Sequence, residues 1–406
     1  MSTRALILSW EYPPLIEGGL ARHVRKLSER LVGAGVEVHV LTRGAGNMPY
    51  RSVLRGVNVH RVHEGSHPTD LEEFLAWVKR MNADMIAAGR ALAEDLEFDL
   101  VHGHDWLVAT GGDRLASAIG CPLVMTIHAT EYGRHQGWVD KHPQSYIHRV
   151  EKWIAGRADR VITCSHYMRG HVADIYDLDE SRITVIPNGI DPLDLKPVDD
   201  LDALRSRFAA PDEKLLLLVG RLVYEKGFQL ALEALPGLIE RLGNVRFLVA
   251  GSGTHESELK RLATELGLDE HGTFLGWIGD DVLHSLYRIA DLTVVPSIYE
   301  PFGLVALEAM ASGCPCIVAD TGGLREVVPT PDVGLRFRAR DSRSLQRMVE
   351  RVLTDESLRD RLVVEASEHV LRFDWGDIAG QTADVYGEVL DAFTPSEATV
   401  GRRASG

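Results

Sequence analysis

Cysteine is scarce in this 406-residue chain: Cys121, Cys164, Cys314 and Cys316 stand apart in apolar or strand-like surroundings. They show neither the paired spacing of a zinc site nor the density of a disulfide scaffold, so a reducing cytoplasm is the expected setting. Positive charge is also short, with 44 Lys+Arg against 59 Asp+Glu and a formal net charge of -15. Such a field repels polyanions and excludes a general nucleic-acid or anionic-membrane binder, though not a small anion in a local basic pocket. No apolar run reaches the length of a membrane-spanning helix, and "MSTR" passes directly into a strand pattern, so no signal peptide or membrane span is expected. The Walker pattern and the GxGxxG fingerprint are missing as well, which disfavours a dinucleotide oxidoreductase.

What is present is an ordinary globular composition, 45% apolar, in a chain long enough for two cores. Short apolar runs alternate with amphipathic stretches: "ALILS", "VEVHVLT", "LVHGHD", "PLVMTIH", "RVITCS" and "ITVIPNG". A polar stretch from Ile190 to Lys214 interrupts them, and "LLLLVG", "VRFLVAG", "GTFLGW", "LTVVPS" and "PCIVAD" resume the pattern. This alternation predicts an α/β chain of two doubly wound parallel-sheet domains, with ligands at the carboxyl ends of the strands and a cleft between facing sheets. The expected boundaries are 1–192 and 193–374, with an amphipathic helix at about 375–395 packing back on the first domain and a disordered tail at 396–406.

Five stretches carry candidate chemistry. In "SIYEPFGLVALEAMASG", Glu300 precedes a glycine-started helix and Glu308 lies two turns inside it; N–H groups of Phe302, Gly303 and Leu304 would offer partial positive charge to an anion. In "GRLVYEKGF", Arg221 and Lys226 follow a strand end, where a planar fork and a mobile point charge can clamp a diphosphate; the plainer reading is two solvated loop charges. In "EYPPLIEGGLARHV", Gly18 and Gly19 before a helix suit a phosphate-approaching backbone, or only a strand-to-helix turn. "HGHDWL" and "TIHATEYGRHQGW" place Asp105, Trp106, His128, Tyr132 and Trp138 after strands, a set suited to carbohydrate. His102, His104 and His128 lack the spacing of a metal site, and "DLDE" at Asp177–Glu180 resembles a DxD motif by letters alone. No metal and no cofactor are expected.

Together, "PPLIEGGLARHV", "HGHDWL", "TIHATEYGR", "GRLVYEKG", "GSGTHE" and "PSIYEPFGLVALEAMASG", in this order from about Ala5 to Tyr386, resemble the retaining GT-B glycosyltransferases of family four, glycogen synthase-like type. "SWEYPP", "GGLARHV" and "HATEYGRHQGW" are most similar to the mycobacterial-type cytoplasmic α-1,4-glucosyltransferases.

The resemblance implies that Gly18 and Gly19 close over the donor phosphate, that Arg221 and Lys226 bind the diphosphate, and that Glu300 and Glu308 bind the transferred glucose and the ribose. It places His128 at the reacting centre, Asp105 on the acceptor side, Gly251 in the donor site, and the base against the loop at Trp277 and Ile278. Trp10, Tyr12, Trp106, Tyr132 and Trp138 are the candidate acceptor-stacking residues; each has core packing as its plainer role. The implied reaction is retaining transfer of glucose from ADP-glucose or UDP-glucose to an α-1,4-glucan or malto-oligosaccharide, without a metal. The alternatives are another sugar donor with a lipid or small-molecule acceptor, a sugar-nucleotide epimerase, and a non-catalytic carbohydrate-binding protein. Oligomeric state is not legible in the residues.

Overall fold

The computed structural model describes residues 3–394 apart from 64, 67 and 69. The tail expected to be disordered lies outside the described residues. Two compact units divide the chain: one runs to Gly189 and resumes at Trp375, and the other spans Ile190–Asp374.

The first unit is built on eight strands, β1 (Arg4–Leu8), β2 (Glu37–Gly44), β3 (Arg51–Leu54), β4 (Val57–His63), β5 (Leu100–His104), β6 (Leu123–Ile127), β7 (Arg160–Thr163) and β8 (Ile183–Val185). They lie in the order β3-β4-β2-β1-β5-β6-β7-β8, and only the β3–β4 pair is antiparallel. Every residue of β5 and β6 is buried, as central strands of a parallel sheet require. The helix Gly19–Gly33 forms because Ala21, Val24, Leu27 and Leu31 recur at helical spacing and bury one stripe. That stripe shares a core with Ile7, Val38 and Val40 of the sheet and with Ile378, Val385 and Val389 of the helix Trp375–Ala392.

The second unit has six parallel strands, β9 (Lys214–Val219), β10 (Val245–Ala250), β11 (Gly272–Gly276), β12 (Leu292–Val295), β13 (Cys316–Ala319) and β14 (Leu335–Phe337). Their order, β11-β10-β9-β12-β13-β14, is the 3-2-1-4-5-6 arrangement of a Rossmann sheet, so the chain direction switches between β9 and β12. In the first unit the corresponding switch lies between β1 and β5.

Three elements depart from the sequence reading. The hairpin β3–β4 and the strand β14 were not among the expected strands: β3 is mostly exposed and β14 is three residues long, so neither carries a buried apolar run. The polar stretch after Ile190 is also not bare linker. It holds the helix Leu201–Ser206, whose N-cap Asp200 accepts a hydrogen bond from the Ala203 amide at 2.9 Å.

Candidate active site

At the carboxyl edge of the second sheet, the segments after β9 and β12 flank the switch point. Lys226 Nζ lies 2.8 Å from Glu300 Oε2, and the Ser297 hydroxyl donates to the same oxygen at 3.0 Å. The Glu300 carbonyl accepts the Gly323 amide at 2.9 Å, while the Glu225 carbonyl accepts the amides of Ile298 and Tyr299. These bonds tie the Arg221–Lys226 loop to the Ser297–Glu300 loop and pair Lys226 with Glu300. Arg221 is exposed beside it. Gly303, at φ 122°, starts the helix Leu304–Ala311, and a Cβ there would stand 2.7 Å from Leu324 Cδ2. Within that helix Glu308 accepts a hydrogen bond from the buried Tyr287 hydroxyl at 2.8 Å.

The remaining donor candidates lie along the same edge. Gly251 follows β10 at φ 136°, and a Cβ there would collide with the Gly220 carbonyl. Only glycine lets the ends of β9 and β10 close up in this way. Trp277 is 76% exposed after β11, next to a half-buried Ile278. Phe302 buries its ring against Phe373, at a centroid distance of 5.8 Å.

In the first unit the carboxyl edge has another chemistry. Asp105, just after β5, adopts φ 61° and ψ 173°, a region normally left to glycine, so its backbone stores strain of about 1–3 kcal/mol. Its Oδ1 accepts the His128 amide at 2.8 Å, and burial pushes its carboxyl up to about 6 against the pull of Arg134 and the amides of His128 and Ala129. His128 Nε2 meets His104 Nδ1 at 3.1 Å, and the His23 ring packs 4.6 Å from that of His128. Burial holds all three imidazoles neutral: it brings His128 down to about 4 and pushes His23 and His104 well below the ordinary histidine value. His102 belongs elsewhere: its two nitrogens are bonded to Tyr386 and Thr126, each at 2.7 Å, within the core.

Supporting residues that the sequence reading missed hold this edge in place. Glu11 accepts the amides of Glu17 and Gly18 and so shapes the turn into Gly18–Gly19. Glu151 accepts the Glu131 amide through both oxygens at 3.0 Å and the Tyr176 hydroxyl at 2.7 Å, anchoring the turn after His128; burial pushes its carboxyl up to about 7. Each of these contacts joins distant parts of the chain or a side chain to a loop amide, and neither leaves a local motif.

The five acceptor-stacking candidates separate by exposure. Trp138 is 79% exposed and Tyr132 is 37% exposed, so both can present a ring. Tyr12 is a correction: at 1% exposure it is a core residue and has no free face. Trp106 is also buried, edge-on to Phe74. Trp10 packs edge-on to Phe74 and Trp77, with the Arg43 guanidinium 4.9 Å from its ring. That cation–π contact accounts for its ring.

Residues 17–193 match glycosyltransferase family 4 and residues 202–369 match the glycosyl transferases group 1 family. A glycogen synthase of Mycobacterium tuberculosis is 39% identical over 402 residues, covering 94% of both chains. The chain belongs to glycosyltransferase family 4. An uncharacterized glycosyltransferase of Methanocaldococcus jannaschii is 38% identical over 385 residues, 94% of this chain and 97% of that one. A D-inositol 3-phosphate glycosyltransferase of Nocardia farcinica is 30% identical, over 98% of this chain and 92% of its own. Among solved structures, a sucrose-phosphate synthase from Thermosynechococcus elongatus superposes with TM-score 0.82 and 26% identity over 96% of this chain and all of the other. The catalytic domain of Arabidopsis starch synthase IV, bound to ADP and acarbose, superposes with TM-score 0.74 and 20% identity over 96% of this chain and all of the other. This family 4 glycosyltransferase therefore has the GT-B fold, two Rossmann-like domains, and acts as a hexosyltransferase. No helix among the described residues is long and apolar enough to cross a membrane.

Proposed function

We propose that this glycosyltransferase moves glucose from ADP-glucose or UDP-glucose to the non-reducing end of an α-1,4-glucan or malto-oligosaccharide, with retention of configuration. The observation that carries the reading is the Lys226–Glu300 ion pair, on the same post-β9 loop as Arg221, at the β9–β12 switch point, where a Rossmann sheet binds its ligand. The similarity to a glycogen synthase supports the choice of glucose and glucan.

The roles follow from charge. Breaking the bond from the anomeric carbon to phosphate develops positive charge on the sugar and negative charge on the departing diphosphate. Arg221, Lys226 and the amides at Phe302–Leu304 stabilise the diphosphate, and fixed donors of this kind supply much of such a rate enhancement. Lys226 has Glu300 as its partner in this structure, so donor binding redistributes Lys226 toward phosphate and frees Glu300 oxygens for glucose hydroxyls. Glu308, oriented by Tyr287, takes the ribose hydroxyls, and Trp277 and Ile278 border the base.

In the first unit, Gly18 and Gly19 offer backbone to the donor phosphate. His128, kept neutral by burial, serves as a hydrogen-bond partner of the reacting sugar instead of a charge. Asp105 fixes the His128 backbone. Tyr132 and Trp138 form the acceptor platform. Attack comes from the leaving-group face, with the departing phosphate accepting the acceptor's proton. The cationic pair does the work a divalent ion would do, so activity survives EDTA; loss on chelation that returns with Mg²⁺ overturns that point. A cytoplasmic setting completes the proposal.

A second reading, another sugar donor with a small-molecule acceptor, is favoured by the similarity to a D-inositol 3-phosphate glycosyltransferase. A donor-by-acceptor matrix with product linkage determined by NMR separates the two. Transfer of glucose to maltodextrin in α-1,4 linkage is expected. Transfer only from another donor to a lipid or polyol contradicts the glucan assignment.

A further inference from the structure

We propose that His23, His104 and His128 form a binding site for a borderline-soft divalent cation of the zinc type, and that filling it shuts the enzyme down. One ring nitrogen from each of the three lies within 4.8 Å of the others, the only such group of three or more potential ligands among the described residues. The three histidines come from the helix Gly19–Gly33, from β5 and from the residue after β6.

The geometry is close to what a cation needs. Nitrogens bound at about 2.0–2.1 Å to a tetrahedral zinc stand about 3.3 Å apart. His104 Nδ1 and His128 Nε2 stand 3.1 Å apart and share one proton. A cation entering between them needs both facing lone pairs, so the shared proton moves by way of solvent to the far nitrogen of the ring that carries it, His104 Nε2 or His128 Nδ1; both imidazoles stay neutral, and a shift of His23 within its packing supplies the third ligand. His23 Nδ1 and His104 Nε2 are buried with no hydrogen-bond partner, so the cluster is under-satisfied as it stands. Neutral imidazole is the liganding form, and burial supplies it without a metal. His128 is only half-buried, which gives the cation a way in. Three neutral nitrogens select zinc, cobalt or copper over Mg²⁺, a hard cation that takes oxygen ligands.

Inhibition rests on the role proposed for His128 above, whereas cation binding does not. A cation bound to His128 removes the lone pair with which it would meet the sugar.

The test titrates the full chain with Co²⁺, following its visible absorption, with Zn²⁺ as competitor and nucleoside diphosphate release measured in parallel. One Co²⁺ per chain with a tetrahedral spectrum is expected, displaced by Zn²⁺, with transfer lost and restored by EDTA. His23→Gln and His104→Gln should each weaken binding at least tenfold. His60→Gln, in the His39–His60 stack on β2 and β4, should leave binding unchanged. Because His104→Gln can misfold, circular dichroism accompanies each variant, and histidine side-chain NMR of the unaltered protein must show three imidazoles responding to Zn²⁺. Absent binding, or binding indifferent to His23→Gln and His104→Gln, overturns the site. Binding there with undiminished transfer overturns the inhibition.

Discussion

The two units answer the same topological problem with opposite electrostatics. Both sheets switch direction once, and both place their candidate residues at the carboxyl ends beside the switch. In the 190–374 unit that edge carries Arg221, an ion-paired Lys226 and Glu300, and a glycine-started helix. In the other unit it carries buried neutral histidines and a strained aspartate whose carboxyl burial raises to about 6. A Rossmann sheet thus supplies position without specifying charge. The charged edge suits an anionic donor, and the neutral one suits hydroxyl-rich sugar.

The largest expected effect falls on the charged edge. Lys226→Ala or Arg221→Ala should lower turnover by roughly two to three orders of magnitude, about 3–4 kcal/mol of lost leaving-group stabilisation, with the thermal melt unchanged. Near-normal turnover in either purified variant breaks the contrast between the edges.

Aromatics sharpen the other side of the comparison. Tyr12→Ala should cost about 3 kcal/mol of stability, because its ring is core. Trp138→Ala should leave the melt unchanged and raise KM for glucan several-fold, because its ring is exposed. Chemical denaturation and acceptor kinetics on both variants check the pair; a stable, KM-defective Tyr12→Ala would reverse the sorting.

The smallest effect concerns Glu151. Its carboxyl is raised from 4.5 to about 7 in the folded state, chiefly by burial. The folded protein therefore holds this proton more tightly than the unfolded chain, and the contribution is stabilising at low pH and lost as pH rises from about 4.5 through about 7. Glu151→Gln has no such titration, so its stability relative to the unaltered protein should improve by about 2–3 kcal/mol between pH 5 and pH 8. Melts across that range measure it, and parallel curves contradict the assignment.

How much of this was legible in the residues depends on distance along the chain. The buried strands were readable because each is a short apolar run, and Glu300 with Glu308 was readable because loop and helix are contiguous. The β3–β4 hairpin was not, since β3 is largely exposed and shows no apolar run. Tyr12 looked like a platform because an aromatic after a strand end reads the same whether the chain later covers it or not. The histidine group is only partly legible: the residues offer His102, His104 and His128 without metal spacing, whereas in the fold His23, 81 residues before His104, joins His104 and His128, and His102 is spent on Tyr386, 284 residues away. Glu11 and Glu151 act on backbone amides, and a carboxylate that caps a loop has no spacing of its own.

The central claim, that the charged edge of the 190–374 unit holds the nucleotide, is tested most directly by calorimetric titration of ADP-glucose and UDP-glucose. The unaltered chain, an Arg221→Ala/Lys226→Ala double variant and Trp138→Ala would be compared. Tight binding of at least one donor to the unaltered chain and to Trp138→Ala is expected, with a loss of at least a hundredfold in the double variant. Equal affinity in all three proteins would contradict it.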